Sequence, residues 1–333
     1  MPYEIENKFV IAVASSALFD LSESDRVYQV EGEDKYRAYQ REHENDVLQQ
    51  GVAFPLIKRL LGMNGTSPDD QLVEVVLLSR NDPDTGLRVF KTIEHYGLPI
   101  SRAAFVTGNN PVKYMNAFNA TLFLSANPQD VQEAVKEGFP AGCIYPSDYQ
   151  DNEEDAELRL AFDFDGIIAD DSAERVFQEG KVLNQFHQHE RMKAAIPLPA
   201  GPIFRFFKEI SKLQKKELEK AKKDTDYKPK IRIGIATARN APAHERVITT
   251  LREQDIRVDE AFFLGGIDKS RVLKEFRPHI FFDDQVSHIA SVARHFPCVH
   301  VPFGVANDQS NEKNETQTYE VQQGGNDHES RSQ

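Results

Sequence analysis

Short runs rich in Val, Ile and Phe alternate with helix-period stretches along almost the whole chain, and this alternation restricts the fold most. The strand candidates are Phe9–Val13, Val73–Leu78, Ala104–Val106, Thr121–Leu124, Ala141–Tyr145, Leu158–Phe162, Ile231–Ile235, Ala261–Leu264, His279–Phe282 and Cys298–Val301. Amphipathic segments such as Thr85–Tyr96, Pro128–Glu137, Ala243–Glu253 and Val286–His295 lie between them. Strands separated by helices of this length predict βαβ units and a parallel sheet covered on both faces, the doubly wound α/β class. In such sheets ligands bind beyond the carboxyl ends of the strands.

Three segments interrupt the rhythm. Ser147–Glu157 is acidic and polar and reads as a linker between two halves, 1–150 and 151–305. From about Asn307, or 306–333 as a unit, the composition turns to Asn, Gln, Ser, Glu and Gly, which predicts a disordered tail. Between Ile168 and Lys230 the strand pattern gives way to helical signals. The basic run Lys212–Lys223 within it reads as a solvated helix face with i,i+4 pairs rather than a polyanion site.

The halves also repeat each other. Ala12-Val-Ala-Ser-Ser-Ala-Leu-Phe19 aligns without a gap on Ala161-Phe-Asp-Phe-Asp-Gly-Ile-Ile168. Ser79-Arg-Asn matches Ala238-Arg-Asn, and Thr121-Leu-Phe-Leu-Ser-Ala126 matches His279-Ile-Phe-Phe-Asp-Asp284. In this alignment Ala14, Ser16, Ser125 and Ala126 stand opposite Asp163, Asp165, Asp283 and Asp284. A duplication whose first copy lost its acids explains the pattern, and predicts that the N-terminal half is structural or shapes the cleft but does no chemistry.

Composition narrows the function. Lys plus Arg number 40 against 53 Asp plus Glu, a net charge of −13, which argues against a nucleic-acid binder. The N-terminus has no secretion-signal pattern and no apolar run approaches a membrane span, so a cytoplasmic soluble protein is expected, without membrane partners. The two cysteines, Cys143 and Cys298, form no disulfide or zinc framework and read as small buried residues. The sequence leaves room for a homo-oligomer.

Four strand-end elements carry chemistry. They are Asp163-Phe-Asp165-Gly, Thr237 after an apolar strand, Lys269 after Gly265-Gly266, and the adjacent acids Asp283-Asp284. Paired carboxylates beyond a strand are costly unless a cation or a reaction uses them, and Gly166 lets the chain turn sharply there.

Their order resembles the haloacid dehalogenase superfamily of phosphohydrolases. Both halves resemble the cytosolic 5′-nucleotidase I family and its bacterial relatives, in Ile11–Asp20, Val75–Asp82, Thr85–Val89, His189-Glu190, Gly201-Pro202, Ser211–Lys216, Ala236–Arg239 and Arg277–Gln285. The resemblance covers roughly residues 5 to 305 and implies a Rossmann-like catalytic half with a helical cap insert at about 167–230, preceded by a degenerate half of similar topology.

By the same resemblance Asp163 is the nucleophile and Asp165 the acid–base. Thr237, Ala238 and Lys269 bind phosphate. Mg²⁺ is held by Asp163, the Asp165 carbonyl and Asp283, with Asp284 ligating or just behind. His189, Glu190 and Arg239 become candidate substrate residues, with Phe164, which stands where animal members carry Gly. The implied activity is hydrolysis of nucleoside 5′-monophosphates, AMP-like, to nucleoside and phosphate. Another small phosphomonoester as substrate, or a nucleotide-binding regulatory role, is the alternative. His187 and His189, two apart on a helix, point to different faces and do not form a paired metal site.

Overall fold

The computed structural model describes residues 4–65, 71–180 and 183–307; the polar C-terminal stretch lies outside them. Ten strands form one sheet: β1 (Phe9–Val13), β2 (Val73–Ser79), β3 (Arg102–Phe105), β4 (Leu122–Ser125), β5 (Ala141–Tyr145), β6 (Leu158–Phe162), β7 (Ile231–Thr237), β8 (Glu260–Phe263), β9 (Ile280–Asp283) and β10 (Cys298–His300). They match the expected runs to within one or two residues; β7 extends far enough to include Thr237. β1 and β2 are buried along their whole length, as central parallel strands covered on both faces must be.

The sheet order is β3-β2-β1-β4-β5-β10-β9-β6-β7-β8. The first half contributes order 3-2-1-4-5, and reading inward from its own edge the second half contributes 8-7-6-9-10, the same sequence of strands. Within each half every pairing is parallel, and only the junction β5–β10 is antiparallel, with Cys298 opposite Tyr145 and His300 opposite Cys143. The strand ends of the two halves therefore open on opposite edges of the sheet. The first half cannot lend its strand-end residues to a cleft at the second.

Helices cover both faces. The first half has α1 (Ser15–Leu18), α2 (Ser22–Glu31), α3 (Glu33–Glu42), α4 (Phe54–Leu61), α5 (Gly86–His95) and α6 (Pro128–Lys136). The second has α7 (Ser172–Gly180), α8 (Leu183–Met192), α9 (Phe204–Lys223), α10 (His244–Glu253), α11 (Lys269–Phe276) and α12 (Val286–Val292). On one face a continuous core crosses the junction, joining Leu56 and Ile57 of α4, Phe206 and Phe207 of α9, and Val89 and Val247 of α5 and α10. Phe206 stacks on Phe9 at 5.7 Å and also meets Phe162 and Phe282, so one ring touches both halves. The other face holds two separate cores, under α6 and under α11 and α12.

Two expectations change here. Of the 167–230 segment only α7 and α8 resemble a cap; α9 buries Phe206, Phe207, Ile210 and Leu213 in the shared core. Its basic run is solvated on one side only, because Gln214 binds Asp259 at 2.6 Å and Glu217 accepts the Ile231 N–H at 3.0 Å, fixing the start of β7. The first half carries a matching pair, α2 and α3, which its sequence had not signalled. The polar linker is not loose either. Arg59 on α4 binds Asp151 through both terminal nitrogens (2.7 and 2.9 Å) and donates to the Asn152, Asp155 and Glu157 carbonyls.

Hydrogen bonds make the repeat residue-specific. Ala14 N–H donates to Leu124 O as Asp163 N–H does to Phe282 O. Asn81 N–H donates to Ser79 Oγ and Arg239 N–H to Thr237 Oγ1, both at 3.2 Å. Ser79 thus takes the place of Thr237, and Asn81 that of Arg239, a correction by one residue to the alignment of Ser79-Arg-Asn on Ala238-Arg-Asn. The first block is not gapless either. Gly51 N–H donates to Leu18 O and Gly201 N–H to Ile168 O, so the loop between Asp163 and Ile168 is one residue longer than its counterpart.

Candidate active site

β6 and β9 are neighbours in register, Phe162 beside Phe282. Asp163, the residue after β6, and Asp283, the last of β9, therefore stand side by side. The Phe164 N–H donates to Asp163 Oδ1 at 2.7 Å. Asp268 caps α11 by accepting the Ser270 N–H at 2.7 Å, which sets Lys269 in the first turn. From there Lys269 Nζ reaches Asp163 Oδ2 at 2.8 Å and Asp283 Oδ2 at 2.6 Å. Asp283 Oδ1 also accepts the Gln285 N–H at 2.9 Å and faces His288 Nδ1 at 3.3 Å.

Asp284 differs from its neighbours. Both its carboxylate oxygens are buried without a hydrogen-bond partner. It packs on Gly166, whose φ is +72° and whose missing Cβ would fall 2.5 Å from Asp284 Oδ2, so both backbone angle and space demand glycine there.

Asp163, Asp283, Asp284 and Lys269 are all buried. One lysine cannot balance three buried carboxylates. Burial pushes the Asp163 carboxyl up to about 7, Lys269 opposing and Asp283 adding to the rise. Burial and the neighbouring Asp283 charge raise Asp284 well above the ordinary carboxylate range. Burial works in the same direction on Asp283, but Lys269 and His288 outweigh it and hold this group low. Asp163, Asp283 and His288 each place a ligand atom within 4.8 Å of the others. Hard oxygen donors, excess negative charge and two unpartnered oxygens together fit a divalent cation.

A second cluster adjoins the first. Arg239 Nε and Nη2 grip Asp165 Oδ2 and Oδ1, each at 2.7 Å. Its Nη1 donates to Glu190 Oε2 on α8, and Arg246 Nη1 on α10 donates to Glu190 Oε1 at 2.9 Å. Burial raises the Glu190 carboxyl, yet the two guanidiniums outweigh it and hold the group below its usual value.

The other expected residues fall around these clusters. Thr237 ends β7, the strand beside β6, and exposed Ala238 follows it. His189 Nδ1 lies 3.1 Å from Glu190 Oε1, while His187 turns away to Asn240 Oδ1 at 3.0 Å. Phe164, named as a candidate substrate residue, is fully buried in the core, with the Arg239 guanidinium 5.6 Å from its ring. His288 and Arg246 were missed from sequence. A histidine five residues beyond Asp283 was the available sign for the first; an arginine seven residues after Arg239 on an ordinary amphipathic helix gave none for the second. Cys298 is buried and Cys143 partly so, each in a strand, and burial pushes the Cys143 thiol up to about 12.

The acid cluster itself is buried. A cavity of about 980 Å³ lies along the first half's strand ends and the β5–β10 junction, lined by Ser16, Asp25, Ala126, Tyr145 and His300 among others. No helix among the described residues is long and apolar enough to cross a membrane.

Comparison with known proteins gives the same direction. The 5′-nucleotidase family model matches residues 1–308. Human cytosolic 5′-nucleotidase 1B is 36% identical over 299 residues, 88% of this chain and 48% of that protein. The chain thus spans about half the length of that curated relative. Likeness to solved structures is slight. A crystal structure described as a universal stress protein of Pseudomonas aeruginosa has a TM-score of 0.36 at 9% identity, covering 89% of this chain and 92% of that one. Histidinol dehydrogenase of Elizabethkingia anophelis reaches 0.21 at 8% identity, covering 83% and 73%.

Proposed function

The chain belongs to the 5′-nucleotidase family, and from that premise we propose that it hydrolyses nucleoside 5′-monophosphates, AMP-like ones foremost, to nucleoside and phosphate in a Mg²⁺-dependent reaction. The observation that carries the reading is three buried carboxylates at one strand edge, of which Asp163 and Asp283 share one lysine and Asp284 keeps both oxygens unpartnered. The name of the human relative supports a cytosolic location.

In the first step an Asp163 oxygen attacks the phosphorus. The bond to the nucleoside 5′-oxygen breaks as an aspartyl-phosphate forms, and Asp165 delivers a proton to the departing oxygen. In the second, Asp165 takes a proton from a water that attacks the same phosphorus, which frees phosphate and restores Asp163. Thr237 and the N–H groups after it hold phosphate oxygens, and Lys269 balances the charge of the transferring group. Mg²⁺ held by Asp163, the Asp165 carbonyl, Asp283 and Asp284 would supply the positive charge that lets one anion approach another. Helices α7 and α8 serve as the lid that excludes water.

Phosphate release from a panel of nucleoside monophosphates and sugar phosphates, with Mg²⁺ or with EDTA, tests this. Metal-dependent release favouring a nucleotide supports it. Release only from non-nucleotides keeps the chemistry and removes the nucleotidase. No release from any ester points to a nucleotide-binding protein.

A further inference from the structure

The Arg239 guanidinium is divided between two carboxylates, Asp165 on one side and Glu190 on the other. Glu190 belongs to α8, forty-nine residues away along the chain and fully buried. The first half contains a control for this arrangement. There Gln40 on α3 stands where Glu190 stands on α8, and it accepts from Arg88 Nη1 at 3.2 Å. Arg88 Nε also donates to Asp46 O at 3.0 Å, as Arg246 Nε does to Ile196 O at 2.8 Å. Thr92 and Thr250 complete the match, donating to the Arg88 and Arg246 carbonyls and accepting the Leu48 and Leu198 N–H groups.

Docking of the helical pair onto the sheet's helix therefore needs an arginine and a neutral acceptor. A charge at residue 190 is not required for it. What the second half adds is that charge together with Arg239, where the first half has Asn81. Both additions occur in the half that holds Asp165.

We infer that Glu190 is a positioning residue for Asp165, acting through Arg239. A guanidinium that binds a carboxylate by two parallel bonds fixes the plane of that carboxylate. Arg239 itself needs a hold, since apart from the two carboxylates its guanidinium meets the Phe164 and Phe186 rings and only a long bond from Nη1 to the Ala243 carbonyl, at 3.4 Å. Glu190 takes Nη1 and is in turn fixed by Arg246. A lid helix and the acid–base carboxylate are thereby one mechanical unit, and displacing α8 moves Asp165. The inference rests on the acid–base role proposed for Asp165.

The test is Glu190→Gln, which keeps an acceptor for Arg246 as Gln40 does for Arg88. kcat/KM reports steps up to leaving-group departure, so it is measured on AMP, glycerol phosphate and p-nitrophenyl phosphate. The first two need a proton on the departing oxygen and the third does not. The expected result is a loss of about 10–100-fold on both alkyl esters and little change on the aryl ester, whatever the shift in Tm. Equal loss on all three means a structural role, and loss on AMP alone means contact with the nucleoside; either overturns the inference. If the variant fails to fold, Arg239→Lys, which keeps the charge but cannot bridge, must give the same split. A wild type that turns over glycerol phosphate but not AMP refutes the nucleotidase reading alone, and the glycerol and aryl esters then decide the positioning role. A wild type inert on all three ends both.

Discussion

The two halves of the sheet share a strand order and a set of matched hydrogen bonds, yet differ at every position where a charged group is expected to do chemistry. Ala14, Ser79, Ser125 and Ala126 occupy the places of Asp163, Thr237, Asp283 and Asp284, and Pro111 that of Lys269, since Asn110 Oδ1 accepts the Val112 N–H as Asp268 Oδ1 accepts the Ser270 N–H. In the first half these positions are small and neutral, and Ser15 Oγ and Ser79 Oγ satisfy each other at 2.8 Å. In the second all five are buried, and all but Thr237 are charged and only partly paired. The scaffold therefore folds without the acids. Their presence costs stability, which is the expected mark of a site kept for function rather than for folding. The shorter loop after Ala14 adds a second difference, since restoring aspartates there would not restore their spacing. We read the halves as copies of one ancestral unit, of which only the second has kept its chemistry.

The largest expected effect separates the halves most sharply. Asp163→Asn should lower kcat for phosphate release by about 10⁴-fold or more, the scale seen when a nucleophile is removed. Measured residual activity above a hundredth of wild type would place the nucleophile elsewhere. Next comes the joint between the halves. Arg59→Ala leaves the Asp151 side chain buried with only the Tyr149 hydroxyl, at 3.4 Å, and frees three linker carbonyls, so it should cost about 3–5 kcal/mol in urea unfolding without touching the acid cluster. Its counterpart by position in the second half, Glu209, pairs on the surface with Lys212 at 2.6 Å and should matter far less.

These contrasts show what the sequence could and could not reveal. The strand runs were legible because parallel strands buried on both faces leave unbroken stretches of Val, Ile and Phe, and the acids were legible because charge directly after such a run has no packing reason. The antiparallel junction was not legible. A three-residue strand such as Cys298–His300 pairs equally well in either direction, and the choice is made by packing of α4 and α9 across the junction. Arg246 was obscured for the opposite reason, and so was its pairing with Glu190, which the resemblance had named only as a candidate substrate residue: charged residues on amphipathic helices usually face water, and burial of this pair follows from the tertiary fold. Phe164 was named for its position between two acids, and nothing in the sequence signalled that its ring is core.

Metal binding sharpens the comparison next. Without a cation the Asp284 carboxylate is an uncompensated burden, so Asp284→Ala should raise Tm in EDTA. Mg²⁺ at a hundredfold excess over its Kd should add about 2.7 kcal/mol to the wild type and much less to this variant. Calorimetry with and without Mg²⁺ reads both, and an equal Mg²⁺ shift in the two proteins would remove Asp284 from the metal site.

Acid should also act on the second half through one histidine. Burial, with Arg59 and Arg159 nearby, pushes the His279 imidazole down to about 3, and its Nδ1 accepts the Arg159 N–H at 3.0 Å, which requires the neutral ring. The unfolded chain binds a proton near pH 6.5 that the native chain refuses. Stability from this residue is therefore complete above that pH and lost progressively as pH falls towards 3, by about 2 kcal/mol at pH 5. Thr121 holds the matching place in the first half, its hydroxyl donating to Val10 O at 2.8 Å with nothing to titrate. The variant His279→Thr should flatten the fall in Tm between pH 7 and 5, whatever it does to Tm at neutral pH, and an unchanged slope would assign the acid sensitivity to other groups.

The smallest effect is the most informative about the first half. Ser79 is the counterpart of Thr237, and its hydroxyl caps the Asn81 N–H just as Thr237 caps that of Arg239. The first half's strand ends face the opposite edge of the sheet, so Ser79→Ala cannot reach the acid cluster except through stability. It removes one buried hydroxyl and leaves the Ser15 partner unsatisfied, which costs about 1–3 kcal/mol. kcat and KM should stay within about twofold at 25 °C while Tm falls, because each tenfold in rate needs about 1.4 kcal/mol at the transition state and nothing at Ser79 touches it. Thr237→Ala, with a similar loss of packing, should instead lower kcat/KM well beyond that range. Equal kinetic losses in the two variants would mean that the first half contributes to catalysis after all, and the reading of it as a chemically silent copy would have to be given up.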